Sequence, residues 1–77
     1  MKELVEMMVK SLVDQPEYVN IVETCGESII ILEISVHGDD VGKVIGKEGR
    51  IANAIRVVTK AAAAKQSKKI TVEILAQ

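Results

Sequence analysis

Two glycines set two residues apart, Gly46 and Gly49, constrain this chain more than any other feature, because they stand between a short amphipathic segment and a longer one. Glycine has no Cβ, so both positions can take positive φ and admit another backbone at close range. The residues after Gly49 carry a helical apolar repeat. The loop amides are therefore expected at a helix N-terminus, where unpaired N–H groups and the macrodipole favour an anion. Lys47 and Arg50 add positive charge beside it. The stretch Gly46-Lys47-Glu48-Gly49-Arg50 thus reads as a cradle for a sugar-phosphate backbone, with the rest of the chain as its scaffold.

Upstream, Leu4, Val5, Met8, Val9 and Leu12 recur at the spacing of a helix with one buried face. Asp14-Gln15-Pro16 is expected to stop it, since Pro16 restricts the residue before it. Met7 and Val13 fall partly off that stripe. Residues Tyr18 to Thr24 and Ser28 to Val36 are rich in Val and Ile and are joined by Cys25-Gly26-Glu27, a hairpin-length connection, so antiparallel pairing is expected. The second of these strands puts Ile30, Leu32, Ile34 and Val36 on one face and leaves Ile29 and Ile31 on the other, where a partner contact would cover them. His37-Gly38-Asp39-Asp40 then breaks the strand. Either aspartate can cap a short helix in which Val41, Val44 and Ile45 share a face and which Gly46 ends. Beyond the loop, Ile51, Ala54, Ile55, Val58, Ala61 and Ala62 form the expected core stripe of the longest helix. Asn53, Arg56 and Lys60 mark its polar, basic side. After Ser67-Lys68-Lys69, the alternation of Ile70, Val72 and Ile74 gives a last strand.

The order α-β-β-α-α-β makes an α+β domain spanning residues 1–77, three helices on one face of a three-stranded sheet. Right-handed crossover makes the last strand parallel to the second, with the first antiparallel on its other side, so the sheet is expected to be mixed. A chain of 77 residues buries roughly 60% of its unfolded surface, enough for one modest core. With 1% aromatic content, Tyr18 alone, that core must be aliphatic.

The net charge of -1 hides a polarised chain. Residues 1 to 42 hold two lysines against nine acids, a net of -7, while residues 43 to 77 hold eight Lys or Arg against two acids, a net of +6. The basic half contains the glycine loop, which points to a polyanion. Other chemistries find no footing. Cys25 is the only cysteine and His37 the only histidine, which leaves no metal set and no nucleophile-base arrangement. Neither an enzyme nor a cofactor is expected, and no small-molecule substrate. A P-loop fails because Gly42 and Gly46 are too close and Glu48 follows Lys47, and a dinucleotide fingerprint fails at Val44. The apolar runs are too short to span a bilayer, and the N-terminus lacks a signal peptide's layout, so a cytoplasmic protein without a membrane partner is the expectation.

The residues Val44-Ile45-Gly46-Lys47-Glu48-Gly49-Arg50-Ile51 with Ile55 resemble the V-I-G-x-x-G-x-x-I core of the KH domain, and the element order resembles its bacterial type II form. The run from Asp39 to Arg50, continued by Ala54-Ile55-Arg56, is similar to the KhpA (YlqC) family of single-domain KH proteins. This resemblance covers the whole chain. It implies single-stranded RNA binding in an RNA-chaperone or post-transcriptional role, with the GxxG loop clamping about four nucleotides. Carried onto this chain, Gly46, Lys47, Glu48 and Gly49 are the clamp, and Lys43 and Arg50 are flanking phosphate contacts. Val41, Val44, Ile45 and Ile51 are candidates for the apolar groove, and Asn53 completes the expected RNA-binding set. Glu48 departs from an ideal anion loop, since its charge opposes phosphate. The resemblance also implies homodimers and pairing with the larger Jag/KhpB RNA-binding protein. Tyr18 alone cannot supply the aromatic stacking platform of other single-strand binders, so weak, sequence-tolerant binding by the monomer is expected. The rival readings are a single-stranded DNA binder, a helix-turn-helix-like duplex binder, and a protein-interaction or dimerisation module with an incidental basic surface.

Overall fold

The computed structural model describes residues 1–77. Its elements are α1 (Lys2–Lys10), β1 (Asn20–Cys25), β2 (Ile29–Val36), α2 (Val41–Ile45), α3 (Arg50–Ala64) and β3 (Lys69–Ala76). Tight 3-10 turns lie at Pro16–Tyr18, Gly38–Asp40 and Lys47–Gly49. β2 is the central strand, with β1 antiparallel on one side and β3 parallel on the other. The mixed α+β sheet expected from the element order is the one observed.

Alternation along β2 decides where the core sits. Ile30, Leu32, Ile34 and Val36 are fully buried beneath the helices, while Ile29 on the opposite face is 40% exposed. Val5 and Val9 from α1, Val44 from α2 and Ile55 from α3 close over them, joined by Ile21 and Val72 from the outer strands. Each such aliphatic side chain contributes about 1.5–3 kcal/mol when fully buried. The core contains no aromatic ring.

Three boundaries and faces differ from the sequence expectation. α1 ends at Lys10 rather than at Asp14: the Ser11 hydroxyl donates to the Met7 carbonyl at 2.8 Å and the next turn tightens, with Leu12 N–H donating to Val9 O. That tightening drops Val13 into the core. β1 begins at Asn20 rather than Tyr18, because Pro16, with its fixed φ, opens a 3-10 turn there. Tyr18 instead meets the His37 ring edge-on at 4.9 Å.

The third correction concerns α3. Its buried residues are Ala52, Ile55, Thr59 and Ala63, a line rotated from the expected stripe, so Ala54, Val58 and Ala61 lie exposed. Small residues let the helix approach the sheet closely. Thr59 is tolerated there because its hydroxyl donates back to the Ile55 carbonyl at 2.8 Å, leaving no unpaired polar atom. Val57, at 68% exposure, joins Val58 on an apolar ridge facing solvent.

Candidate nucleic-acid interface

The loop between α2 and α3 is held in conformations that few residues adopt. Gly46 has φ 77° and ψ 174°, a region essentially reserved for glycine, and Gly49 has φ 74° and ψ 14°. Both expected positive φ values are present. Glu48 also lies at positive φ, 57°, which the sequence did not announce because a carboxylate side chain carries no signal for it. The two glycines differ in their surroundings. A Cβ on Gly46 would stand 2.7 Å from Ile51 Cγ1, whereas one on Gly49 would meet nothing within 4 Å. Gly46 thus lets Ile51 close down on the loop, and Gly49 turns the chain into α3.

α3 starts without the usual help. Its N-cap is Gly49, which has no side chain to accept from the first N–H groups, and no acidic residue sits in its first turn. Arg50 stands there instead, adding positive charge to the positive end of the helix dipole. An uncapped terminus with a cation beside it favours an anion from outside the chain. Lys47 has no ion-pair partner, and Arg50 reaches only the Glu48 carboxylate, at 3.6 Å and with both side chains largely exposed. Pairs so exposed contribute little to stability.

Lys43 behaves differently from the free phosphate contact expected of it. Its ammonium donates to Asp14 and, at 3.2 Å, to Asp40. Asp40 is 1% exposed and does not cap its own helix; it accepts from the backbone N–H groups of Asp14 and Gln15, at 3.3 and 3.0 Å. The His37 ring, by contrast, caps the preceding turn, accepting from Asp39 N–H. Burial pushes the Asp40 carboxyl up, but the hydrogen bonds from Lys43, Asp14 and Gln15, with the lysine's charge, outweigh it and hold the group below its ordinary value. For Lys43 the Asp14 hydrogen bond is the largest cause, followed by that to Asp40, and the ammonium is held above its ordinary value. This cluster ties the segment that follows α1 to the start of α2, the helix that leads into the loop.

The apolar groove candidates divide. Val44 is fully buried and belongs to the core, Val41 and Ile51 are half-buried against it, and Ile45 is 38% exposed. Asn53 is exposed on the first turn of α3. Farther along, α3 and β3 enclose an open cleft of about 550 Å³ lined by Arg56, Lys60, Lys68, Lys69, Ile70 and Val72, among others. Arg56 lies about 9 Å along the helix from Arg50. The expected site set lacks these four cations, although the doublet Lys68-Lys69 at the start of a strand and the i, i+4 pair Arg56/Lys60 were visible signals. None of the four is in an ion pair. On the other flank, α1 and α3 border a cleft of about 520 Å³ lined mostly by apolar side chains such as Met7, Met8 and Ile51. The second cleft meets the loop's charge at Arg50 alone, whereas the first gathers four further cations.

Comparison with known proteins points the same way. The family model described as "KhpA/KhpB, KH domain" matches residues 2–74. A protein of Clostridium perfringens named RNA-binding protein KhpA is 63% identical over 75 residues, 97% of this chain and 100% of the relative. Proteins with the same name from Clostridium acetobutylicum and Chlamydia trachomatis are 57% and 44% identical, each over 97% of this chain and over 100% and 96% of their own length. No solved structure matches the chain.

Proposed function

Because the chain belongs to the KhpA/KhpB family of KH domains, with the type II KH fold, we propose that it binds single-stranded RNA by gripping the sugar-phosphate backbone in the loop Gly46-Lys47-Glu48-Gly49. The observation that carries this reading is the uncapped N-terminus of α3, with exposed Lys47 and Arg50 on either side of a backbone turned outward by glycine. The phosphates sit against the loop amides and these two cations. The strand then runs along α3 toward Arg56, Lys60, Lys68 and Lys69. Bases rest on aliphatic surface, Ile45 and Ile51 near the loop and Ile70 in the cleft, since no aromatic platform is at hand. Lys43 serves this site by holding α2 in place, with its charge committed to Asp14 and Asp40.

Binding of this kind is weak and sequence-tolerant for a single domain, and useful affinity comes from joining two RNA-binding units, which raises effective concentration. The reading therefore includes association with another copy or with a larger KhpB-type protein, through the apolar ridge at Val57 and Val58. An RNA-chaperone or regulatory role in the cytoplasm, by one domain over residues 1–77, completes it. No helix of the chain is long and apolar enough to cross a membrane.

Fluorescence anisotropy of a labelled single-stranded RNA tests the proposal, with the Lys47→Asp/Glu48→Asp variant as comparison and circular dichroism as the check on folding. Wild type is expected to bind the RNA at least tenfold more tightly than the folded variant. Equal binding by both proteins would remove the loop from the working surface. Single-stranded DNA and duplex DNA as competitors separate the remaining readings.

A further inference from the structure

All three helices lie on one face of the sheet, and the other face is open. Val22 of β1, Glu33 of β2 and Glu73 of β3 lie side by side in one row of that face. In the row on one side Ile31 stands between Thr24 and Thr71, and in the row on the other Ser35 stands between Asn20 and Leu75. Val22 and Leu75 are 42% and 39% exposed, and Glu73 is exposed. The centre of the face is therefore a pair of carboxylates bordered by Val22, Ile31 and Leu75.

Glu33 and Glu73 sit on adjacent strands, about 4.8 Å apart at the backbone. Neither is in an ion pair, although most other acidic side chains of the chain have a cation, a thiol or a ring nitrogen nearby. Like charges directly opposite on a sheet are unfavourable. By register Lys69 falls in line with this face, but it lines the α3–β3 cleft and stands four residues along β3 from Glu73, about 13 Å away, so no cation reaches the pair. Two unpaired negative charges among Val22, Ile31 and Leu75, with only neutral polar side chains besides, select among the possible occupants. A polyanion is repelled. A second copy laid face to face would bring four carboxylates into one dry layer, where unpaired charge is costly. What fits is a segment that puts a lysine or arginine between aliphatic side chains.

We infer that the open sheet face is a second interaction surface, independent of the glycine loop, which takes a protein segment presenting Lys or Arg flanked by aliphatic residues, the cation seated between Glu33 and Glu73. The domain is then two-sided: one side takes a polyanion, the other a basic protein segment. Occupation of the sheet face leaves the loop free.

The test is a titration of the isotope-labelled domain with a synthetic helical peptide bearing leucine and lysine on one face, followed by amide and methyl chemical shifts. A control peptide carries glutamate in place of each lysine. The expected result is perturbation centred on Val22, Ile31, Glu33, Glu73 and Leu75, at least tenfold weaker binding for Glu33→Gln/Glu73→Gln, and RNA anisotropy unchanged for that variant. A variant that fails to fold is replaced by Glu73→Gln alone, which alters an exposed position on an edge strand. Equal binding of the two peptides, perturbation centred on α3 or the loop, or concentration-dependent shifts of the sheet residues without peptide would each overturn the inference, the last by showing that a second copy is the occupant.

Discussion

On its incoming side the glycine loop is held: Val44 is buried, Asp40 is locked between Lys43 and the backbone of Asp14 and Gln15, and Gly46 lies beneath Ile51. On its outgoing side nothing stands within 4 Å of the Gly49 Cβ position, and Lys47 and Arg50 extend into solvent. The difference teaches how a short loop can be rigid without being covered. The scaffold fixes it from behind, through long-range contacts to the turn after α1, and leaves the front open. Changes behind the loop should cost stability, and changes in front should cost binding.

The sharpest break in that comparison comes from alanine at the two glycines. Gly46→Ala meets both a backbone region that alanine rarely adopts and a 2.7 Å contact with Ile51. A loss of about 3–4 kcal/mol is expected from the two together, read in urea unfolding. Gly49→Ala meets only left-handed strain and should lose about 1 kcal/mol.

Next in size is the acidic cluster. Asp40→Asn leaves the Asp14 and Gln15 N–H groups a weaker acceptor and frees Lys43, and should lower Tm by on the order of 5–10 °C near neutral pH. The sign with pH comes from the shifts. Asp40, held below its ordinary value, stabilises the fold above the unfolded carboxylate pKa, and this is lost as pH falls through its folded value. Lys43, held above its ordinary value, contributes fully below 10.5 and loses its share only as pH rises beyond it. Thermal melts between about pH 6 and pH 3 should therefore show a steeper fall for wild type than for Asp40→Asn, since the variant has lost that titrating group. Parallel slopes would break the link between Asp40 and the loop's support.

The smallest expected effect is at Gly49→Asn. Asparagine tolerates the left-handed region, so stability should change by no more than about 0.5–1 kcal/mol and RNA affinity by less than about threefold. Anisotropy and melts on one preparation check both. A large loss of affinity would mean that the front of the loop touches the ligand more closely than its openness implies.

What was legible in the sequence was what local pattern encodes. Alternation in Ile30 to Val36 marked the central strand and its buried face, and two glycines before a helical repeat marked the loop and its positive φ angles. The sheet's mixed polarity came from crossover handedness. What was hidden depended on distance. Lys43 read as a phosphate contact because Asp14, one of the two carboxylates that hold it, lies 29 residues away in sequence, while Asp40, three residues before it, read as a helix cap. The buried side of α3 was misplaced because apolar counting favours Val58 over Thr59, and a threonine whose hydroxyl bonds to its own helix can be buried at little cost. Arg56, Lys60, Lys68 and Lys69 come together only when β3 returns beside α3.

The most direct measurement is the salt dependence of RNA affinity for wild type, Lys47→Met and Lys43→Met, with folding confirmed for each. If the front of the loop meets phosphate and Lys43 is committed behind it, Lys47→Met should make the slope of log K against log salt shallower by about 0.7, the value for one single-strand phosphate contact. Lys43→Met should leave that slope unchanged while lowering the melting temperature. A slope altered by Lys43→Met and untouched by Lys47→Met would contradict the account.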